Sequence, residues 1–438
     1  MKSTCLPLHI KTAYVLVFIL QMVFSTSFAQ SPPITIASYN LGWWLNQAEF
    51  KDYVSTCFSE TPDKLVKLGA DTQGLPPCNV YAGQDPGTLT MVPTLQYWEA
   101  KKNALKITVE RAKADVMAFI EVSGKLSVEQ MLGEQLKNDY WMCESALNPK
   151  QIGITREQQR IVIISKKTIF ANPETQPNGC ISEEGTRIEA KDGRFTRPTL
   201  VSNLTTMSGK PLTIIALHLK SRCASPAGDE NFNWTGDLLN SKSEHCITLR
   251  KQIAPLEEIV KKYTTGGRNV VMLGDFNRKI HFEIPTQKAN GFIDYKAGSA
   301  RVEIDEFCKN GKPIISPKYP NPTPSDTCQE IKQKSTAGIP SPTDSIRLFW
   351  PEIIDFDAQK DANGKWQLPS NPILTILNRD LKNTDCKGFD GLDHITVSNS
   401  ISKVNPMATV REVAQNSFSN LSIPASDHCP IMTNLIIP

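Results

Sequence analysis

The sequence contains a nine-residue stretch, Asn269–Asn277, in which an apolar run leads into an acidic and an amide side chain. Its letters, NVVMLGDFN, predict a buried β-strand followed by a turn. Side chains alternate along a strand, so Asp275 and Asn277 are expected to point the same way, and Gly274 lets either backbone or a ligand approach closely. Because α/β sheets usually carry their chemistry at the carboxyl ends of strands, Asp275 and Asn277 are candidate site residues. A local turn cap at Asp275 is the alternative.

The same pattern recurs along the chain. Three further apolar runs predict strands that end at or near Asn40, Glu121 and His218. Two later segments place an Asp-His pair directly before a short apolar run, beginning at Asp393 and at Asp427. Each side chain alone is as readily explained by a turn, a cap or a structural histidine. Together they predict one polar cluster at the strand ends.

The chemistry of this cluster favours a hard divalent cation. Carboxylate and amide oxygens suit Mg²⁺, Mn²⁺ or Ca²⁺, whereas the H-E-x-x-H spacing of many zinc hydrolases does not occur in the sequence. Hydrolysis of a phosphate ester requires a base for the water, an acid for the leaving oxygen and positive charge on the phosphoryl oxygens. Two histidines, several carboxylates and a bound cation would supply all three.

Six short motifs occur in a characteristic order: S-Y-N, F-I-E, L-H-L-K-S, G-D-F-N, G-L-D-H-I and S-D-H-C-P-I. In this order they resemble the endonuclease/exonuclease/phosphatase superfamily, which includes deoxyribonuclease I, from about Ile34 to the C-terminus. The fold that the resemblance implies is α/β, a four-layer α-β-β-α sandwich of two packed mixed sheets with helices outside.

The resemblance also implies a cofactor and the residues that hold it. Glu121 is implied as the main metal ligand, assisted by Asn40 and by Asp427. The implied cofactor is a divalent cation, with Mg²⁺ as the first expectation and Mn²⁺ or Ca²⁺ as alternatives.

Catalytic roles are implied in the same way. His428 is implied to take the proton from the attacking water, oriented by Asp393. His218 is implied to protonate the leaving group. Asp275 and Asn277 are implied to position the water, the metal and the phosphate.

Other positions match the family less closely. Arg197, in F-T-R-P, matches a phosphate-contacting arginine, and Arg194 lies close enough in the sequence to compete for that role. Family members often carry Gln before the metal-binding Glu, where this chain has Ile120, and an aromatic residue where it has Cys429. A disulfide at Cys429 is expected to constrain the neighbouring His428. The spacing from His218 to Cys223, followed by Cys246-x-x-Leu249-x-x-Gln252, is similar to a secreted bacterial branch of the superfamily.

The first 29 residues predict a secretory signal peptide. Lys2 and Lys11 accompany an apolar run, and a small-x-small cleavage site ends at Ala29. The alternative, an uncleaved membrane anchor, is disfavoured because the apolar run is shorter than the roughly 20 residues that a membrane span needs. The protein is therefore expected to be secreted or periplasmic, with no stable membrane insertion after the signal is cleaved.

The cysteines fit an oxidising compartment. Removal of the signal takes away Cys5 and leaves ten of the eleven cysteines, an even number suited to disulfides. Cys57 and Cys78 are expected to staple an insertion. Cys223 and Cys246 bracket a polar loop and are predicted to bond to each other, which would stabilise the fold by about 3 kcal/mol.

Residues 30–438 are expected to form a single domain because the motifs span them, with Pro- and Gly-rich insertions near 57–93 and 281–390. Two helices are predicted from apolar residues at helical spacing. The stripe of the first helix consists of Trp98, Leu105, Val109 and Ala112, with Lys and Glu on the opposite, exposed face. The second helix runs up to Val260 and is expected to kink at Pro255.

A secreted, divalent-metal-dependent phosphodiesterase is the leading expectation, with nucleic acid as the substrate. A phospholipid or small-molecule phosphoesterase, resembling sphingomyelinases or inositol phosphatases, is the alternative, and a binding module without turnover is the third. The net charge of +3, which falls to +1 when the two signal lysines are removed, gives no electrostatic support for nucleic acid. An exposed aromatic loop would favour a lipid; Trp43-Trp44 is the nearest such pair, and core packing is its other explanation. No protein partner is inferred.

Overall fold

Two mixed β-sheets lie face to face in the computed structural model. It describes residues 32–57, 76, 94–148, 159–191, 193–223, 243–265, 268–278, 374–380, 392–415 and 425–438, together with the pairs 286–287, 293–294, 308–309, 312–313, 417–418 and 423–424. These pairs form three two-residue ladders. Residues 34–438 form one compact unit. The predicted signal peptide and most of both predicted insertions lie outside the described residues.

The helices are α1 (Gln47–Cys57), α2 (Leu95–Ala112), α3 (Lys125–Lys137, with a kink at Gly133), α4 (Glu244–Thr265) and α5 (Asn399–Val404), with 3₁₀ turns at Pro173–Thr175 and Glu184–Thr186. The strands of the two sheets are β1 (Ile34–Trp44), β2 (Val116–Val122), β3 (Tyr140–Glu144), β4 (Arg160–Lys166), β5 (Cys180–Glu183), β6 (Thr199–Thr205), β7 (Pro211–His218), β8 (Asn269–Asp275), β9 (Leu374–Ile376), β10 (Asn378–Asp380), β11 (Asp393–Ser398), β12 (Thr409–Glu412) and β13 (Ile431–Leu435).

The first sheet has the strand order β10-β12-β13-β1-β2-β4-β3, and the second has the order β9-β11-β8-β7-β6-β5. Each sheet is mixed, since β1 runs parallel to β2 and β7 runs parallel to β8 while most other pairs are antiparallel. Strands β9 and β10 lie inside the range predicted as an insertion, and they pair with β11 and β12. The last part of that range therefore contributes a strand to each sheet.

A shared apolar core joins the two sheets because one face of each is lined by β-branched and aliphatic side chains. Its members include Ile36, Ala118 and Ile163 from the first sheet and Ile214, Val271 and Ile395 from the second. Helices α2 and α3 pack on the outer face of the first sheet, and α4 packs on the outer face of the second. The predicted α-β-β-α sandwich of two packed mixed sheets is thereby confirmed.

The predicted apolar faces of both helices are confirmed, whereas the position of one lysine and the course of the helix at Pro255 differ from the prediction. All four stripe residues of α2 are buried, and so is Lys101, which lies on the same face although the lysines were expected on the opposite one. Helix α4 runs through Pro255 as one continuous element. None of the helices in the described part of the chain is long and apolar enough to cross a bilayer.

Disulfides tie loops to the core. The predicted bond between Cys223 and Cys246 is confirmed, and a bond between Cys143 and Cys180 joins β3 to β5. Cys57 and Cys429 each take part in a disulfide as well. Cys78, the expected partner of Cys57, lies outside the described residues.

Candidate active site

Strand register in the second sheet places three of the predicted residues side by side. His218 at the end of β7 is paired with Asp275 at the end of the parallel strand β8. Asp393 opens the antiparallel strand β11 and is paired with the same Asp275. Neighbouring strands lie about 5 Å apart, so one edge of the sheet presents an imidazole and two carboxylates in a row.

The first sheet brings its residues to the same place. The parallel pairing of β1 with β2 sets Asn40 beside Ile120, so Glu121 follows at the same end. Asn40 Nδ2 donates a hydrogen bond to Asp275 Oδ2 (3.0 Å), which links the two sheets at the site. The hydroxyl of Ser426, in the loop before β13, donates to the carbonyl of Asn40 (2.7 Å) and brings the S-D-H motif alongside.

Gly274 allows β8 to approach β7 closely. Its φ is +135°, and a Cβ atom at this position would lie 2.1 Å from the carbonyl oxygen of Leu217. Any other residue would have to displace backbone. The close approach expected from the sequence is therefore present one residue before Asp275.

His428 and Asp393 form a tightly coupled pair. His428 Nδ1 lies 2.6 Å from Asp393 Oδ2, and the backbone N–H of His428 donates to Ser426 Oγ (3.2 Å). The other ring nitrogen, Nε2, lies 3.8 Å from Asp275 Oδ2. Burial lowers the pKa of His428, but the Asp393 and Asp275 carboxylates outweigh burial and raise the pKa well above the usual value of histidine. The predicted orientation of His428 by Asp393 is thus present in the geometry.

His218 faces an arginine. Its Nε2 lies 2.9 Å from Arg197 Nη2, 3.4 Å from Glu121 Oε1 and 3.7 Å from Asp275 Oδ2. Burial, followed by the Arg197 charge, lowers the pKa of His218 well below the usual value. The neutral imidazole is therefore favoured without substrate, with Nε2 accepting from Arg197. Of the two arginines considered, Arg197 is the one at the site, because Arg194 is exposed.

The Glu121 carboxylate is held at both oxygens. Oε2 accepts from the backbone N–H of Trp43 (3.2 Å), and Oε1 accepts from Gln159 Nε2 (2.9 Å). Burial and then the Asp427 carboxylate raise the pKa of Glu121. Glu121 adopts a φ of 60°, which is rare for a residue other than glycine and is found where the surrounding structure enforces it.

The residues predicted to hold a metal fit a hard cation by their chemistry. Glu121, Asn40 and Asp427 offer two carboxylates and an amide oxygen. Asp427 raises the pKa of Glu121, which means that the two carboxylates repel each other, and a bound cation would relieve this repulsion. Within the described residues, no group of three or more His, Cys, Asp or Glu side chains is placed to hold a metal ion.

Asp275 and Asn277 are ordered by the turn after β8. The Asn277 N–H donates to Asp275 Oδ1 (2.7 Å), and Asn277 Nδ2 donates to the carbonyl of Leu219 (2.9 Å). Burial raises the pKa of Asp275 to about 7, with Asp393 and Glu121 adding to the rise. The buried Asp275 carboxylate therefore holds a proton more readily than an ordinary aspartate does.

The aromatic pair has two different environments. Trp44 stacks on Trp98 with ring centroids 5.0 Å apart, and its indole N–H donates to the carbonyl of Ser127. Core packing thus accounts for Trp44. Trp43 is half-buried and contributes its backbone N–H to Glu121.

Two residues at the site were not predicted from the sequence. Lys101 Nζ donates to the carbonyl of Gly42 (2.6 Å), and burial lowers its pKa to about 8. Gln159 contacts Glu121 from the start of β4. The spacing of Lys101 from Trp98 and Leu105 places it on the apolar face of α2, which was an available signal, whereas Gln159 lies outside every motif and carried none.

Comparison with known proteins gave matches only among solved structures. No protein-family model and no curated protein matches the sequence. An endonuclease/exonuclease/phosphatase family protein from Bacteroides thetaiotaomicron is 12% identical, with a TM-score of 0.39 over 93% of this chain and 98% of that one. A protein of the same family from Bacteroides vulgatus is 9% identical, with a TM-score of 0.40 over 93% of this chain and 99% of that one.

The catalytic domain of human Nocturnin is 13% identical, with a TM-score of 0.37 over 92% of this chain and 94% of that one. At these identities and TM-scores the likeness does not extend to substrate or mechanism.

Proposed function

We propose that the protein is a divalent-metal-dependent phosphodiesterase that hydrolyses nucleic acid. One observation carries the proposal: the Nε2 atoms of His218 and His428 lie 3.7 and 3.8 Å from the same Asp275 oxygen, so two imidazoles flank one buried carboxylate. A displacement at phosphorus requires a proton acceptor for the incoming water and a proton donor for the leaving oxygen. Two imidazoles around one point are suited to these tasks.

His428 is the residue suited to accept the proton of the water. The Asp393 carboxylate holds its Nδ1, so that the neutral ring presents a free Nε2 lone pair and the imidazolium formed on proton uptake is stabilised. Asp275, next to Nε2, orients the water. The pair thus acts as a base of raised strength.

His218 and Arg197 are suited to the phosphate and the leaving oxygen. Arg197 would bind a non-bridging phosphoryl oxygen. The negative charge of a phosphodiester beside Arg197 opposes the effect of that arginine on His218 and raises the His218 pKa, which is the direction that a proton donor requires. Asn277, anchored on the carbonyl of Leu219, would hold the phosphate side of the site.

Glu121, Asn40 and Asp427 would hold the divalent cation, with Mg²⁺ as the first choice and Mn²⁺ or Ca²⁺ as alternatives. When bound, such a cation supplies positive charge to the phosphoryl oxygens during the reaction. The donor set, two carboxylates and an amide, supports an oxygen-preferring ion over zinc.

Two observations support the choice of substrate and compartment. Trp44 is 1% exposed, which removes half of the aromatic pair that would have favoured a lipid surface. The bonded cysteines Cys143, Cys180, Cys223 and Cys246 support the further proposal that the protein is secreted or periplasmic, because disulfides persist in oxidising compartments.

The test is hydrolysis of DNA, RNA, sphingomyelin, inositol phosphates and bis-p-nitrophenyl phosphate with Mg²⁺, Mn²⁺, Ca²⁺ or EDTA.

Glu121→Gln keeps the size of the side chain and removes its charge, so activity should fall by about 10²-fold or more at limiting metal. Glu110→Gln, at an exposed site on α2, is the matched control and should keep parental activity. Metal-independent turnover, or parental activity of Glu121→Gln, would refute the proposal; cleavage of sphingomyelin alone would refute its nucleic-acid part.

A further inference from the structure

Glu121 sits on a β-bulge at the end of β2. Ile120 is paired with Ile161 and Val122 with Arg160, so Glu121 is an extra residue with no partner across β4. A bulge re-aims the side chain of the inserted residue and is frequent next to active sites. The bulge therefore turns the Glu121 carboxylate towards the position where β4 begins.

Gln159 occupies that position. It directly precedes Arg160, the residue paired with Val122, and its Nε2 donates to Glu121 Oε1 (2.9 Å). The residues on either side of Glu121, Ile120 and Val122, are apolar and fully buried, so they offer the carboxylate no donor of their own.

The backbone at this contact is unusual on both sides. Glu121 and Gln159 have φ values of 60° and 64°, and Trp43, which donates its N–H to the second Glu121 oxygen, has a φ of 59°. Left-handed backbone is uncommon for residues with a Cβ, and in folded proteins it clusters at functional sites. Three such residues meet at one carboxylate.

We propose that Gln159 is a positioning residue that sets the orientation of the Glu121 carboxylate and thereby the affinity of the site for its divalent cation. The inference rests on the proposed function, since it takes Glu121 to be a metal ligand. A neutral amide donor fixes the carboxylate plane through Oε1 without cancelling its charge, which stays available to a cation. Partners of this kind, one step removed from a metal, typically change its affinity by about 10- to 100-fold.

The test is calorimetric titration of Mn²⁺ into the full-length protein, stripped of metal and free of substrate. Gln159→Leu removes the amide and keeps the bulk, whereas Gln159→Gly removes the amide and accepts the left-handed backbone without strain. Both variants should bind Mn²⁺ about 10- to 100-fold more weakly than the parent. Gln135→Leu, at an exposed position on α3, is the matched control and should bind like the parent.

Each result decides the matter. Parental affinity in Gln159→Gly would overturn the proposal, because the side chain would then be dispensable, and it would do so even if Gln159→Leu bound weakly or failed to fold. Weak binding by Gln159→Gly, with recovery of kcat at saturating Mn²⁺, would support it. Glu121→Gln is titrated in parallel. If Glu121→Gln also binds Mn²⁺ like the parent, the metal site of the proposed function is refuted. If Glu121→Gln binds weakly while Gln159→Gly binds like the parent, only the role of Gln159 is refuted.

Discussion

His428 and Asp393 are joined by a contact of 2.6 Å between Nδ1 and Oδ2, although the two residues are 35 positions apart in the chain. The contact determines which ring nitrogen carries the proton in neutral His428. It also makes the pKa of His428 depend on a charge that a single substitution removes. That dependence gives the first prediction.

Asp393→Asn should lower the pKa of His428, because the largest group raising it loses its charge. In the parent, kcat/KM should rise with pH along a limb that lies above the usual histidine range, as His428 loses its proton. In Asp393→Asn the limb should move to lower pH, while the plateau falls by about 10³-fold because the neutral ring loses its carboxylate partner. The measurement is kcat/KM between about pH 5 and 10 at fixed Mn²⁺. A limb that stays in place would contradict the assignment.

The two histidines should respond differently to the leaving group. A p-nitrophenyl ester needs little protonation of its leaving oxygen, so His218→Ala should lose less rate on it than on a natural phosphodiester. His428→Ala should lose heavily on both substrates, because the water must be activated in each case. Values of kcat/KM for both variants on both substrates decide the roles; leaving-group dependence in His428→Ala instead would exchange them.

Lys101→Met should stabilise the metal-free protein at neutral pH. Burial lowers the pKa of Lys101 to about 8, from 10.5 in the unfolded chain, so the charged form is disfavoured in the fold. Below pH 8 both states are protonated and the cost is complete; between pH 8 and 10.5 the unfolded state binds more protons, so the parent gains stability as pH rises. After loss of the bond to Gly42, a net gain of about 2 kcal/mol is expected at pH 7.

Urea unfolding in EDTA measures this difference, which should shrink as the pH approaches the unfolded-state value. Lys106→Met, at a half-exposed position on the same helix, is the control for the loss of a lysine. The prediction is contradicted if Lys101→Met is less stable than the parent at neutral pH. It is also contradicted if the gain in the free energy of unfolding is the same at every pH.

Gly274→Ala should destabilise the fold by about 3 kcal/mol, because the new Cβ meets the backbone of Leu217 and not a movable side chain. Gly209 is the matched control: its φ of +84° is also left-handed, but a Cβ there would meet no atom within 4 Å. Gly209→Ala should therefore cost only the backbone strain, about 1 kcal/mol. Thermal and urea unfolding of both variants measure the difference, and equal losses would show that strain alone matters.

The strands that lead to Asn40, Glu121, His218 and Asp275 were predictable, because the apolar run that marks a strand is a local pattern. The apolar run before Asp275 has the composition of a buried strand, and Asp275 lies at the end of that strand as expected. The sandwich itself was predictable from the resemblance. What joins the two sheets at the site, the bond from Asn40 to Asp275, depends on how the sheets pack and is absent from any local pattern.

Other features could not be predicted for a specific physical reason. The position of Lys101, three residues after Trp98, lies on the apolar face of α2, but its contact with the carbonyl of Gly42 depends on how α2 packs against β1. The contact from Gln159 to Glu121 depends on a bulge and on two left-handed residues, whereas polar residues with a Cβ are expected to be right-handed or extended. The pairing of Cys143 with Cys180 depends on the approach of two sheet edges.

The placement of the site across the ends of both sheets gives the activity a further meaning. Glu121 lies near the end of a strand of one sheet, and His428 lies in the loop before another strand of that sheet. His218 and Asp275 end two strands of the other sheet, so neither sheet supplies all four groups. Turnover therefore depends on how accurately the two sheets are aligned, because each sheet supplies only part of the site. Substitutions in the apolar layer between the sheets, such as Ile214→Val, should disturb this alignment. The fractional loss of kcat should then exceed the fractional loss of the free energy of thermal unfolding, and both quantities are measured on the same variants.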